Sequence, residues 1–148
     1  MYGRSRVFAA LALIVVAAVG LAGCATTGDA LKGTNWRLTG FGASSVDSAG
    51  LESIDLASGK ITAGFADGRV SGNSGVNTYS GPYKVAPGGT FSAGPIATTK
   101  NAGPEPAMRA ESAYLTLLGQ AKAYEVTGSQ LTLFGNNGDD RLVFERSK

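Results

Sequence analysis

Lys60-Ile61-Thr62-Ala63-Gly64-Phe65-Ala66-Asp67-Gly68-Arg69-Val70-Ser71-Gly72 is the stretch from which the fold can be read. Ile61, Ala63 and Phe65 alternate with smaller or polar neighbours, which places them on one face of a strand. Asp67-Gly68 is the strongest short hairpin signal in the chain, because a two-residue turn of the favoured hand needs positive φ at both central residues. Arg69–Gly72 is then the returning strand. The same period of two extends outward in both directions. Upstream, Asn35–Phe41 alternates imperfectly through Trp36, Leu38 and Phe41, with Gly40 relaxing the strand. Residues 42–58, rich in Ser, Ala, Gly and Asp, read as a long loop or a weakly paired edge. Downstream, Tyr79–Val85 and Gly89–Ala93 pair around Pro87-Gly88-Gly89. Ala123–Val126 and Gln130–Phe134 flank Thr127-Gly128-Ser129, and Arg141–Glu145 follows the Gly135–Asp140 turn.

One segment breaks this rhythm. Pro104–Leu118 has prolines only at its start, an acidic first turn, and Gly119 where a residue terminating a helix belongs. Ala107, Ala110, Tyr114 and Leu117 form one stripe, with Met108, Leu115 and Leu118 beside it, so the period predicts a helix of about four turns. The expected architecture is α+β: mainly antiparallel strands in a partly closed, barrel-like sheet, with one helix packed on it.

The 148 residues carry 13 Lys plus Arg against 11 Asp plus Glu. Arg4 and Arg6 supply the whole surplus, leaving 11 basic and 11 acidic residues from Cys24 onward. That balance argues against a nucleic-acid surface, which shows a basic patch or stripe. Histidine is absent, which excludes His-based triads and His metal sites. Arg4 and Arg6 precede an apolar run from Val7 to Ala22, too short for the roughly 20 residues of a membrane-spanning helix. The pattern is that of a signal peptide. Leu21-Ala22-Gly23-Cys24 resembles the lipobox of bacterial lipoproteins. The resemblance implies cleavage between Gly23 and Cys24 and a diacylglycerol on the Cys24 thiol. The expected organisation is a signal peptide at 1–23, a lipidated tether at 24–33 and one domain at 34–148. Ala25, where Asp would favour inner-membrane retention, implies the outer membrane, facing the periplasm, in bacteria that possess one.

Gly68-Arg-Val-Ser-Gly-Asn-Ser-Gly-Val-Asn-Thr-Tyr-Ser-Gly-Pro-Tyr83 resembles the META domain, found also in HslJ-type heat-shock proteins of bacteria. The resemblance continues at Gly94-Pro-Ile-Ala-Thr-Thr-Lys100, Pro104-Glu-Pro-Ala-Met108, Glu111, Tyr114, Leu115 and Leu118. It runs from Gly33-Thr-Asn-Trp-Arg-Leu38 to Val143-Phe-Glu-Arg146. Many members carry two cysteines where this chain has Val76 and Gly103, and their joint absence is what a lost disulfide pair implies. The family link implies an envelope stress role, including heat response and drug tolerance, without a biochemical mechanism.

The remaining conspicuous residues read as structure. The Gly68, Gly72, Gly75 and Gly81 series matches neither a dinucleotide fingerprint nor a P-loop. Trp36, Tyr79, Tyr83, Tyr114 and Tyr124 read as packing. Asn136–Asp140 lacks the register of a calcium loop and reads as a solvated turn. Glu105 and Glu111 are accounted for by helix-start electrostatics and by the helix surface. The expectation is a non-catalytic, monomeric binding or stress-response module. It has no cofactor or metal, no nucleic-acid partner, a membrane attachment through Cys24, and an envelope protein as candidate partner. Family motifs concentrate at Asn73, Asn77, Tyr79, Thr98, Thr99 and Lys100, which form the candidate binding surface. Alternatives from other classes are an inhibitor or accessory subunit of an envelope enzyme, and a hydrolase with an unusual site.

Overall fold

A computed structural model describes residues 28–44, 49–52, 55–56 and 59–148. The signal peptide 1–23, its cleavage site at Gly23, the lipidation site Cys24 and part of the 42–58 segment lie outside the described residues.

Nine strands and two helices make up the described chain. The strands are β1 (Thr34–Gly42), β2 (Thr62–Ala66), β3 (Arg69–Asn73), β4 (Thr78–Ala86), β5 (Thr90–Ala93), β6 (Ala97–Thr98), β7 (Ala123–Thr127), β8 (Gln130–Phe134) and β9 (Arg141–Arg146). The helices are α1 (Ala49–Glu52) and α2 (Glu105–Gln120). The predicted strands all form, with boundaries shifted by a residue or two. Asp67 and Gly68 adopt φ of 49° and 72°, the turn expected between β2 and β3. Gly40 marks a register shift in the β1–β9 pairing, where the sequence shows a relaxed strand. Gly72 serves a close approach: a Cβ there would stand 2.1 Å from the carbonyl oxygen of Thr62.

All strand pairings are antiparallel, in the order β3-β2-β1-β9-β8-β7-β5-β4-β6, and β3 pairs again with β4. That last pairing shuts the sheet completely into an eight-stranded barrel, with β6 flanking the start of β4. A closed barrel leaves no long exposed edge. The seam is narrowest between β5 and β7, which share one register pair, Thr90 with Ala123.

Both ends of the barrel are filled. Helix α2 leaves the β3–β4 corner, crosses one end and delivers the chain to β7. Its Tyr114 is fully buried, with ring centroids 5.6 Å from Tyr79 of β4 and 6.4 Å from Phe144 of β9. The helix runs one turn's fraction past its predicted stop: Gly119 stays helical, and the buried Ala121 turns extended instead. The short α1, absent from the sequence reading, packs on α2 at Gly50, where a Cβ would meet the Ala110 nitrogen at 2.3 Å.

The opposite end is filled by residues 29–33, which the sequence reading assigns to the tether. Leu31 is fully buried, and its N–H donates to Asp29 Oδ1 at 2.9 Å. The Tyr83 hydroxyl donates to Asp29 Oδ2, and the Gly33 N–H to the Phe65 carbonyl at 2.7 Å. The folded domain therefore includes Asp29–Gly33, ahead of the start expected at residue 34. Apolar burial fixes this boundary: a leucine side chain stabilises by roughly 1.5–3 kcal/mol when taken fully out of water. Above this plug, Phe65, Tyr83 and Phe91 form a ring cluster with centroids 5.0–6.3 Å apart.

Candidate functional site

The segment Ser74–Asn77 connects β3 to β4 at the end covered by α2, and Glu111 of the helix binds it. One oxygen of that carboxylate accepts the Ser74 hydroxyl at 2.6 Å and the Asn77 N–H at 2.8 Å. The other accepts the Asn77 side-chain amide at 2.7 Å. Asn77 passes the connection on. Its Oδ1 accepts the Asn101 N–H at 2.7 Å and the Thr99 hydroxyl at 2.8 Å, while its amide nitrogen also reaches the Asn101 carbonyl at 3.2 Å. Every hydrogen-bonding capacity of this amide is used.

Glu111 is only 7% exposed. Burial pushes its pKa up, but hydrogen bonds from Ser74, from the Asn77 side chain and from the Asn77 and Val76 N–H groups outweigh it. The carboxyl is held below its ordinary value. Glu111 is thus a buried acid, not the solvated helix-surface acid that its sequence context suggests. A signal for it exists: Glu111 interrupts the apolar line Met108, Leu115 and Leu118, where a solvated acid does not belong. Glu105 fits its reading as a helix-start acid, exposed and paired with Arg109 at 2.5 Å. The solvated-turn reading of Asn136–Asp140 holds for its first four residues, which are exposed, and fails at the last. Asp140 is buried and accepts the Ser44 N–H at 2.6 Å.

The six candidate surface residues divide into two groups. Asn77 and Tyr79 are buried, 2% and 3% exposed, so they cannot contribute contact surface. The Tyr79 hydroxyl donates to the Thr62 carbonyl at 2.9 Å and accepts from Tyr114 at 2.6 Å. Burial raises the pKa of both phenols. Asn73 and Thr98 are half-buried, and Thr99 and Lys100 are exposed. Asn73 Oδ1 accepts the Gly75 N–H at 2.7 Å, and the Thr99 N–H donates to the Thr78 carbonyl at 3.0 Å. The geometry thus brings Asn73, Thr98, Thr99 and Lys100 to one corner of the barrel, held from beneath by Asn77, Tyr79 and Glu111.

Val76 and Gly103 face each other beside this corner. A Cβ on Gly103 would lie 3.4 Å from the Val76 Cβ and 2.8 Å from both its methyl groups. Among the described residues, no three Asp, Glu, Cys or His side chains gather as a metal site would require.

A cleft of about 440 Å³ opens at the other end of the barrel, lined by Arg37, Ser129, Glu145, Arg146, Ser147 and Lys148. Arg37 pairs with Glu145 at 2.6 Å, and the Arg146 guanidinium lies 4.5 Å from the centroid of the Trp36 ring.

The META domain model matches residues 29–148, starting where Asp29 enters the fold. A protein from Burkholderia xenovorans, solved by NMR, superposes with a TM-score of 0.63 at 29% identity, covering 80% of this chain and 84% of that one. A DUF4847 family protein from Bacteroides vulgatus superposes with a TM-score of 0.56 at 17% identity, covering 80% of this chain and 96% of its own. The latter likeness is one of fold alone. No curated protein matches the chain.

Proposed function

The chain belongs to the META domain family, and from that premise we propose that it is a non-catalytic binding module held on the cell envelope by a lipid on Cys24. The observation that carries this reading is the use made of its polar core. Ser74, Asn77 and Glu111 are the buried polar residues within the family motifs, and their polar atoms are engaged in holding one corner rigid. A fixed corner with exposed Thr99 and Lys100 suits recognition of another macromolecule, because a preorganised surface loses little freedom on binding. The family link adds an envelope stress role as the setting.

Two experiments test the reading. Detergent-solubilised pull-down of the tagged protein, read by mass spectrometry, should recover an envelope protein, and Lys100→Ala with Thr99→Ala should reduce that recovery without moving the melting temperature. Recovery of this protein alone overturns the binding role. For the anchor, Cys24→Ala should no longer be processed or fractionate with membranes as the wild type does, and unchanged processing and fractionation refute lipidation.

A further inference from the structure

The barrel has two unlike ends, and the chain enters at only one of them. Gly28 and the Asp29–Gly33 plug lie at the end opposite α2. So do the turn at Asp67-Gly68, the β7–β8 turn at Gly128 and the end of β9. The Arg146 N–H donates to the Ser129 carbonyl, and the Ser147 N–H to the Asn35 carbonyl, both at 2.8 Å. The Arg37–Arg146–Lys148 cleft therefore sits beside the first strand, a few residues from the point of entry. From Cys24 to Asp29 the chain can span at most roughly 18 Å however it runs, since an extended chain advances no more than about 3.6 Å per residue. A lipid on Cys24 thus keeps this end within that distance of the membrane surface. The screening length in physiological salt is about 8 Å, so charges at this end feel the surface when the short tether is not fully extended.

We infer that the cleft between β1, the β7–β8 turn and β9 docks onto anionic phospholipid headgroups of the membrane to which the protein is tethered. The inference rests on the anchor at Cys24. The side chains divide the task. Arg37 neutralises Glu145, the acidic residue lining the cleft. Arg146 and Lys148 have no carboxylate side chain within ion-pair distance among the described residues. Trp36 holds the flat face of the Arg146 guanidinium, leaving its N–H edge for a phosphodiester, to which arginine can donate two parallel hydrogen bonds. The hydroxyls of Ser129 and Ser147 are further donors for phosphate oxygens. Docking here fixes orientation. The α2 end, carrying Thr98, Thr99 and Lys100, then points away from the bilayer.

Trp36 is the sole tryptophan of the chain and contacts the proposed ligand-binding arginine, so it reports directly. The lipidated protein is reconstituted into vesicles of phosphatidylcholine, with or without phosphatidylglycerol, and Trp36 emission is followed as salt is raised. The expected result is an emission difference between the two vesicles that disappears at high salt. Lys148→Ala, which does not touch the ring, should lower the ratio of docked to undocked protein about fivefold. Adding Arg146→Ala should lower it roughly thirty-fold in all, at the usual contribution of a cation near an anionic surface. Identical emission in both vesicles, with the protein still membrane-bound, overturns the docking site and leaves the anchor standing. The same emission change produced by inorganic phosphate in neutral detergent overturns the lipid assignment in favour of a free-anion site. A Cys24 peptide without acyl chains in mass spectrometry removes the anchor, and the inference with it.

Discussion

Glu111 shows how one side chain can hold a corner of a small barrel. Its donors in the corner are neutral, so its stabilising effect comes from hydrogen bonds to a charged acceptor, roughly 1.5–3 kcal/mol each before desolvation is subtracted. Glu111→Ala strands the Ser74 hydroxyl and the Asn77 amide in the interior. Urea denaturation should show a loss of about 3–5 kcal/mol, the range for breaking a buried polar network. Glu111→Gln restores the shape but turns an NH2 group toward groups that also donate, so it should recover only part of that loss. The pH dependence has a definite sign. Because the folded pKa lies below the ordinary 4.5, the stabilisation is fully present above pH 4.5 and is lost as pH falls through the folded value. Stability against pH should therefore fall more shallowly in acid for Glu111→Gln than for the wild type. Equal acid slopes would mean that Glu111 titrates alike in the folded and unfolded chains.

Between elements, the telling contact is Val76 against Gly103, where the β3–β4 connection meets the chain leading into α2. The two positions approach as closely as a disulfide requires: a Cβ at 103 would lie 3.4 Å from that of Val76, beside the roughly 3.5–4.5 Å that cystines show. The valine methyls fill the space a second cysteine would use. Gly103→Ala alone should therefore cost about 1–3 kcal/mol through overpacking. Val76→Cys with Gly103→Cys should oxidise spontaneously, and closing a loop of about 28 residues should stabilise by roughly 3–4 kcal/mol in the chain-entropy view. Thermal melts with and without reductant measure both effects; a free-thiol count of two after air oxidation would disprove the geometry. The same corner marks where sequence reading stops. The β2–β3 hairpin was legible because Asp67-Gly68 and the alternation around it are local, and α2 because its apolar period repeats over four turns. Glu111 was misplaced because its partners lie 34 to 37 residues away, and a surface acid and a buried one look alike until those partners are known. The barrel-like sheet was legible, whereas the completeness of its closure was not, for the same reason: no local pattern says that β3 pairs on both sides. The candidate binding surface was legible as a neighbourhood, whereas the inward direction of Asn77 and Tyr79 was not.

At the scale of the whole molecule, a barrel with both ends stoppered depends on its stoppers, and the two are made of different material. One is a sixteen-residue helix that inserts Tyr114; the other is a five-residue turn that inserts Leu31 beneath the ring cluster of Phe65, Tyr83 and Phe91. Tyr79, Tyr83 and Tyr114 thus sit inside with their hydroxyls engaged, and burial raises the pKa of each, helped at Tyr83 by the adjacent Asp29 carboxylate. A raised phenol pKa means that the fold holds the proton more tightly than the unfolded chain does. The stabilisation is complete below pH 10.0, the ordinary value, and drains away as pH climbs above it. Chemical denaturation should accordingly show the protein losing stability steeply in alkali. Tyr83→Phe should flatten that loss, since it removes one titrating group and its contact with Asp29. Leu31→Ala tests the stopper itself. It opens a cavity under a packed aromatic layer, so the cost should be about 2–5 kcal/mol, against less than about 0.5 kcal/mol for Lys32→Ala on the exposed side of the same turn. Hydrogen exchange would locate the damage: protection should fall first at the Gly33 amide and along β2 and β4, the strands bonded to the plug, while β8 and β9 stay protected. The β5–β7 seam, with its single register pair, is where such an opening should spread next. Uniform loss of protection across all strands would show instead that the two ends and the wall unfold as one unit.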